Sequence, residues 1–222
     1  IRGAVGLINV RGDVNHAAII ADRRAETLHI GGNLLGDPVA AVQAAVISGG
    51  YHNLVVQVES GIPFGAMRAR SFGSFTVDGD MNAASVTTNK VYEVTVGGNT
   101  QNSTVTAWQV GSVTVGGDWT ASSLAVGVLD TGGDGFGRND TLIDPRPDAA
   151  IRARIARIII RGAATGGTVD GDFFGITAEK IGYAKIGGVV QPLTKGVADD
   201  ILLDPVNNDF RLVELVGAKS SV

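Results

Sequence analysis

The chain has 222 residues, a formal net charge of −4 and no cysteine. The lack of cysteine excludes disulfides and thiolate metal sites, and the acidic balance argues against nucleic acid as a partner, since nucleic-acid-binding proteins usually carry a basic surplus. Thirty-two glycines stand against only seven Phe, three Tyr and two Trp, so the core must be aliphatic. No apolar run is long enough to cross a membrane, and we expect no span in this sequence.

A short motif recurs from the first residues onward, in which an apolar run ends at a glycine corner. The second corner residue of each copy serves as its anchor. The anchors are Gly12, Gly32, Ser60, Gly79, Gly98, Gly117, Gly162 and Gly188. They lie 20, 28, 19, 19, 19, 45 and 26 residues apart. The base period is therefore about nineteen residues, with three insertions.

Two apolar columns precede these anchors. The position two before the anchor is always β-branched: Val10, Ile30, Val58, Val77, Val96, Val115, Ile160 and Ile186. The position four before it is always apolar: Ile8, Leu28, Val56, Phe75, Val94, Val113, Ile158 and Ala184. The residue between them is polar in every copy except that of Ile159. This alternation predicts strands with one buried face.

Further apolar positions upstream indicate about three short strands in each repeat. A nineteen-residue unit of this kind can bury its apolar side chains only against its neighbours. We therefore predict an all-β, single-domain parallel β-helix of about eight coils. We favour the right-handed form, because the repeat does not divide into the six-residue units of left-handed solenoids.

The predicted coils cover 1–188, with insertions at about 33–53, 127–151 and 163–175, and a C-terminal cap and tail follow over 189–222. In the insertion at 33–53, Asp37 is placed as an N-cap and Pro38 as the first helical residue. The sequence therefore predicts a short helix over 37–48.

Glycine, Asn and Asp at the corners are expected because they adopt a positive φ at little cost. An acid or amide follows the anchor in five copies, at Asp13, Asn33, Asp80, Asn99 and Asp118. We interpret these residues as a ladder of stacked turns. A row of cation ligands is the alternative.

The insertion at 127–151 has the spacing of a calcium loop. Asp130 and Asp134 are followed by Gly135, which gives oxygen ligands at alternate positions before a tight turn. The match is incomplete, because Gly132 and Thr141 stand where acidic ligands are expected. The hypothesis is a weak Ca²⁺ site; a plain Asp- and Gly-rich surface loop is the alternative. The candidate ligands are Asp130, Asp134, Asn139, Asp140 and Asp144.

Other chemistry-bearing residues have weaker patterns. Trp108 and Trp119 are placed at outward or corner positions, with partial burial under a loop expected. The histidines His16, His29 and His52 share no ligand spacing. A basic stretch leads into a strand at Arg152, Arg154, Arg157 and Arg161. It is read as a solvated face, with contact to a polyanion or acidic glycan as the alternative.

Four segments carry a resemblance to a known family. They are "FGSFTVDGD" (72–80), "VGSVTVGGD" (110–118), "FFGITAEKIGYAKIGG" (173–188) and "NNDFRLVEL" (207–215). These segments resemble the glycine-rich β-strand-repeat proteins of bacterial cell surfaces. The resemblance implies an extracellular or cell-surface location and a structural, adhesive or matrix role. Self-association along the solenoid axis, or contact with other repeats of a longer chain, is the partner it implies.

Two function classes follow. The first is a non-catalytic structural or adhesive module, and no enzyme activity is expected for it. The alternative is a β-helix that binds carbohydrate or cleaves acidic polysaccharides as a lyase. Arg68 and Arg70 lie near Asp78 and Asp80 in sequence, as a lyase site would need. Simple alternation with core residues already explains both arginines.

Overall fold

The computed structural model describes residues 4–11, 14–15, 19–20, 24–30, 34–35, 47–48, 54–58, 65–82, 84–143, 152–168, 171–195 and 198–215. All regular structure in these residues is β, as the sequence predicts. In this part of the chain, no helix has the length and apolarity needed to cross a bilayer.

The described residues form a series of strands. They are β1 (Ala4–Val10), β2 (Val14–Asn15), β3 (Ile19–Ile20), β4 (Arg24–Ile30), β5 (Leu34–Leu35), β6 (Ile47–Ser48), β7 (Leu54–Val58), β8 (Gly65–Val77), β9 (Met81–Asn82), β10 (Ala84–Val96), β11 (Thr100–Gln101), β12 (Thr104–Ala107), β13 (Gln109–Val115), β14 (Trp119–Thr120), β15 (Ser123–Val126), β16 (Val128–Leu129), β17 (Thr141–Leu142), β18 (Arg154–Ile160), β19 (Ala164–Thr165), β20 (Phe174–Ala178), β21 (Lys180–Ile181), β22 (Ala184–Ile186), β23 (Val189–Val190), β24 (Asp200–Leu202) and β25 (Phe210–Glu214).

Each central repeat contributes three parallel runs. One repeat supplies β12, β13 and β14, and the next supplies β15, β18 and β19. In β8 and β10 the first two runs are continuous in one 13-residue strand. The first two runs of each central repeat belong to one 15-stranded sheet. The third runs, β9, β11, β14 and β19, form a separate 4-stranded parallel sheet.

Pairing registers confirm the two predicted apolar columns. Val77, Val96 and Val115 are Cα partners in successive strands, and the same register continues in both directions. The full column is Val10, Ile30, Val58, Val77, Val96, Val115, Ile160 and Ile186. The second column runs in the same way from Ile8 to Ala184. From Val77 to Ile186 the first column is at most 7% exposed.

Trp119 occupies the core, and its predicted outward or corner position is wrong. It lies in register between Thr100 and Ala164 and is only 1% exposed. Small neighbours in the adjacent strands leave room for the indole. Its Nε1–H donates to the carbonyl of Ser122 at 2.7 Å. Trp119 is the largest fully buried side chain among the described residues.

In the central repeats the glycine corners have a different cause from the one predicted, whereas Gly188 has the predicted positive φ. Gly97, Gly98, Gly116 and Gly117 are absent from the described residues that have a positive φ. A Cβ on Gly116 would overlap the carbonyl oxygen of Gly97 in the neighbouring repeat. Close stacking of successive corners, rather than a left-handed backbone, therefore selects glycine at these positions.

The polar residue after each corner joins neighbouring repeats. Asn99 Oδ1 accepts the backbone N–H of Asp118 at 2.9 Å, and Asp118 Oδ1 accepts that of Ala163 at 2.8 Å. These bonds support the turn-ladder interpretation of the described members of the row. The corresponding Asp13 and Asn33 lie outside the described residues.

A second ladder runs along the first run of each repeat. Ser103 and Ser122 are each 1% exposed. The Ser103 hydroxyl accepts the N–H of Ala84 at 3.0 Å, and that of Ser122 accepts the N–H of Ser103 at 2.9 Å. Backbone donors that leave the sheet at this bend are thus satisfied by the next repeat.

The C-terminal part of the stack ends in antiparallel pairing. Gly187 and Gly188 both have positive φ, and they form the two-residue turn between β22 and β23. The segment β24–β25 then covers β20, with β25 parallel to β20 and antiparallel to β24. Phe210 and Leu212 from β25 are completely buried.

The helix predicted over 37–48 falls mainly on residues outside the described ranges. Its last two residues, Ile47–Ser48, form β6, which pairs in parallel with β3. The helical prediction is therefore wrong for these two positions.

Candidate functional site

The insertion after β15 forms a closed loop on the side of the stack. Strands β16 and β17 pair antiparallel, with Leu129 opposite Thr141, and bring the ends of 130–140 together. The candidate ligands Asp130, Asp134, Asn139 and Asp140 all lie within this loop. Asp144 lies outside the described residues.

Asp130 organises the first turn of the loop. Its Oδ1 accepts the N–H of Gly133 at 2.6 Å and its Oδ2 accepts that of Gly135 at 3.0 Å. Gly133 and Gly135 both have positive φ, which their lack of a side chain permits. Both carboxylate oxygens of Asp130 are therefore engaged by backbone amides.

Asp134 and Asp140 supply the unused oxygens of the loop. Asp140 Oδ2 accepts the N–H of Gly137 at 2.6 Å. Oδ1 of Asp140 and Oδ1 of Asp134 are both buried without a hydrogen-bond partner. An orphaned carboxylate oxygen of this kind is costly unless it takes up a proton or a cation.

The electrostatics of Asp140 agree with this geometry. Burial raises the pKa of Asp140 to about 6, and the negative charges of Asp130 and Asp134 add to the effect, while the N–H of Gly137 opposes it. Asp140 therefore lies in the field of two negative charges, and the site favours an added positive charge.

The fit to calcium is partial. Two free carboxylate oxygens and a cluster of acids are the donors that Ca²⁺ prefers. However, within the described ranges no three acidic or histidine side chains converge tightly enough to hold a metal ion. Asn139 has a φ of 59°, and its carbonyl accepts the Thr131 hydroxyl at 2.7 Å. It thus shapes the loop through its backbone.

The loop is attached to the first strand of the following repeat. Phe173 donates its N–H to the carbonyl of Asp134 at 2.7 Å, next to a parallel bridge between Gly135 and Phe173. The Arg138 guanidinium lies 4.9 Å from the centre of the Phe173 ring. These contacts hold the acidic cluster in a defined place beside the stack.

Two polar clefts lie where this loop meets the C-terminal segment. One, of about 300 Å³, is lined by Asp140, Asp200 and Arg211 among others. The other, of about 360 Å³, is lined by Asp172, Asp209 and neighbouring residues. Arg211 is paired with Asp200 at 2.5 Å.

The buried acids of the C-terminal segment were not anticipated from the sequence. Asp204 Oδ2 accepts the N–H of Gly166, and Asp209 Oδ2 accepts that of Gly167. Glu214 Oε1 accepts the N–H of Ile181 at 2.6 Å. These carboxylates thus satisfy amides that a further repeat would otherwise bind. One of them, Glu214, could have been found from the sequence, because it stands at an inward position of the alternating segment "FRLVE" (210–214).

The surroundings of Asp204 and Asp209 shift their pKa values in opposite directions. Burial would raise the pKa of Asp204, but the amides of Gly166, Asn207 and Val206 together lower it below its ordinary value. Burial raises the pKa of Asp209, and the negative charge of Asp204 raises it further.

The other singled-out residues are dispersed. Trp108 is half-buried against the core, as expected, beside Gly127 at the start of the insertion. Arg152, Arg154, Arg157 and Arg161 are exposed along and around β18. His16 and His52 lie outside the described residues. His29, Arg68 and Arg70 lie in described strands, but their side chains are outside the description.

Comparison with known proteins identifies no relative: no family model, no curated protein and no solved structure matches the chain.

Proposed function

We propose that the chain is a non-catalytic structural or adhesive module of a secreted or surface-displayed bacterial repeat protein. Its strands stack as one right-handed parallel β-solenoid, with the segment after 188 serving as a cap. The observation that carries this proposal is the uninterrupted register of eight β-branched residues from Val10 to Ile186. Stacked repeats of this kind provide long, rigid surfaces.

The use of the acidic residues supports a structural role. Asp80, Asp118 and Glu214 all accept backbone N–H groups from neighbouring repeats. Asp204 and Asp209 do the same for the glycines after β19. Carboxylates that a polysaccharide lyase would direct at a metal or substrate are here engaged in holding repeats together.

The two ends of the sheet differ, and this suggests how the module associates. At the C-terminal end, β24 and β25 cover the stack with antiparallel pairing. Among the described strands of the sheet, β1 pairs only with β4. We therefore place self-association, or contact with further repeats, on the β1 side.

The insertion loop adds a second, weaker component to the proposal. Ca²⁺ bound near Asp134 and Asp140 would neutralise their buried oxygens and order the loop against Phe173. It would contribute no chemistry beyond this ordering.

Display is tested directly on cells that express the natural protein. Antibodies against the chain should label intact cells, and external protease should remove that label. Labelling only after the cells are opened would refute the surface role. Solution scattering from the purified chain should give a rod, because eight repeats at one strand spacing each extend about 40 Å. A spherical particle would refute the solenoid.

A further inference from the structure

A basic groove lies on the outer face of β18 and β22. It has a volume of about 280 Å³ and is lined by Arg157, Ile159, Ile160, Arg161, Tyr183, Lys185 and Gly188. Ile159 and Lys185 are Cα partners, so the two strands present their outward residues side by side. Only the tertiary structure brings these residues together, since the two strands belong to different repeats.

The groove concentrates positive charge on an acidic chain. Three of its lining side chains are cationic and none is acidic, although the whole chain carries a net charge of −4. Within the described part of the chain, no carboxylate forms an ion pair with Arg157, Arg161 or Lys185. By contrast, Lys180 is neutralised by Glu214, at 2.7 Å. Three cations without counterions in one groove indicate an anionic partner.

Tyr183 stacks with one of these cations, Arg157, and orients it for ligand binding. The Arg157 guanidinium lies 5.5 Å from the centre of the Tyr183 ring. Such stacking restricts the guanidinium and leaves its N–H fork available for a carboxylate or sulfate. The half-exposed ring and Ile159 add an apolar surface on which a sugar ring can rest.

Hydroxyl groups extend the groove toward the preceding repeat. Ser112 is the Cα partner of Arg157, and Thr114 is the partner of Ile159. Both residues are partly exposed on β13. A polymer lying across the strands would therefore meet one row formed by Thr114, Ile159 and Lys185. Ser112 and Arg157 form a second row two residues earlier along β13 and β18, and neighbouring strands are about 4.8 Å apart.

We propose that this groove binds a linear anionic polysaccharide whose sugars carry carboxylate groups. The cations would bind the carboxylates, Tyr183 and Ile159 would contact the sugar rings, and Ser112 and Thr114 would bond to sugar hydroxyls. The proposal gives the adhesive role a ligand. It rests on the proposed surface display only because display lets the protein meet an external polysaccharide. The two proposals can therefore fail separately: the purified chain can fail to bind although display is confirmed, or it can bind although display is refuted.

Charge density favours a polysaccharide over a nucleic acid. Duplex DNA carries about one charge per 1.7 Å and needs an extended basic surface. Here only three cations line the groove, and exposed Glu93 lies on β10, two strands from Arg157. A polyuronate, with one charge on each sugar, matches the sparse spacing of the cations.

The test is a titration of the purified chain with polygalacturonate at low salt. Three comparison polymers separate the classes: the methyl-esterified form removes the charge, polyglutamate removes the sugar, and duplex DNA replaces both. We expect measurable binding of polygalacturonate and at least about tenfold weaker binding of the other three. Equal or tighter binding of DNA or polyglutamate, or no binding of polygalacturonate, would overturn the proposal.

A pair of charge-matched variants tests the location. Arg157→Gln with Lys185→Gln should weaken polygalacturonate binding by about tenfold or more. Arg152→Gln with Arg154→Gln removes the same charge from exposed residues near the same strand that do not line the groove, and should weaken it by about twofold or less. Equal losses in the two variants would show unspecific attraction and refute the groove. Because all four side chains lie outside the core, melting temperatures of both variants should match that of the parent chain.

Discussion

Asp80 and Asn99, nineteen residues apart, are joined twice: Oδ1 of Asp80 accepts both the backbone N–H of Asn99 at 2.6 Å and its side-chain amide at 3.2 Å. Asn99 in turn accepts the N–H of Asp118. The amide between two acids lets the ladder continue without placing like charges next to each other. The corner row is thus a device for stacking repeats in register.

Replacing the side-chain amide of Asn99 by a carboxylate should introduce repulsion with Asp80 and Asp118. Asn99→Asp loses the donor to Asp80 and sets three carboxylates in a row, so we expect a loss of about 1 kcal/mol in unfolding free energy at neutral pH and low salt. High salt should recover part of the loss. Gln101→Glu makes the same charge change at an exposed residue of the same repeat, and it should change the unfolding free energy little. Denaturant unfolding measures both variants, and equal losses would contradict the ladder.

The buried column predicts a sharp contrast between neighbours. Val96 is 1% exposed between Val77 and Val115, whereas Thr95 alternates to the outer side. Val96→Asp should cost roughly 3 kcal/mol or more, because an unpaired carboxylate enters an aliphatic core. Thr95→Asp should cost far less. Similar melting temperatures would mean that the phase of the strand is wrong.

The corner glycines can be tested with asparagine, which tolerates a positive φ but has a Cβ. Gly116→Asn should destabilise the chain by about 1–3 kcal/mol, because the new Cβ overlaps the Gly97 carbonyl. Gly188→Asn should be nearly neutral, since Gly188 has a φ of +80° and no atom within 4 Å of a Cβ. If Gly116→Asn were also neutral, conformational freedom rather than space would explain the corner.

Stability of the insertion loop should depend on pH through Asp140. Its pKa is raised from 3.8 to about 6 in the folded chain. The folded state therefore binds the proton more tightly, and the resulting stabilisation is complete below about pH 4 and is lost as pH rises through 6. Hydrogen exchange of 130–143, corrected for intrinsic rates, should show protection falling over this range. Asp140→Asn should remove the dependence, and a persisting slope would assign it to another group.

Calcium should oppose this loss. We expect weak binding, with Kd on the order of 10⁻⁴ to 10⁻³ M, because the loop has few ligands and no bidentate Glu. At millimolar Ca²⁺ the stabilisation should be about 1 kcal/mol, and larger at pH 7 than at pH 5, where the Asp140 proton competes. Calorimetric titration compares the chain with Asp134→Asn, and with Asp172→Asn as a nearby exposed control. Identical heats for all three would leave an ordinary surface loop.

The sequence by itself determined the repeat, its two apolar columns and the strands they form. The alternation of Val94, Thr95 and Val96 predicts which side of the strand is buried. The spacing of the anchors predicts which residues pair across repeats. Local periodicity is enough for this, because each repeat meets its neighbours through the same positions.

Only the tertiary structure decided the features that depend on contacts across repeats. Trp119 is buried because Thr100 and Ala164 beside it are small, and no pattern within one repeat contains that information. Asp204 and Asp209 accept hydrogen bonds from the amides of Gly166 and Gly167 because folding brings these distant residues together. The basic groove exists because two strands from different repeats place Arg157 and Lys185 on one surface. In each case, residues distant in the chain supply the space, the partner or the charge.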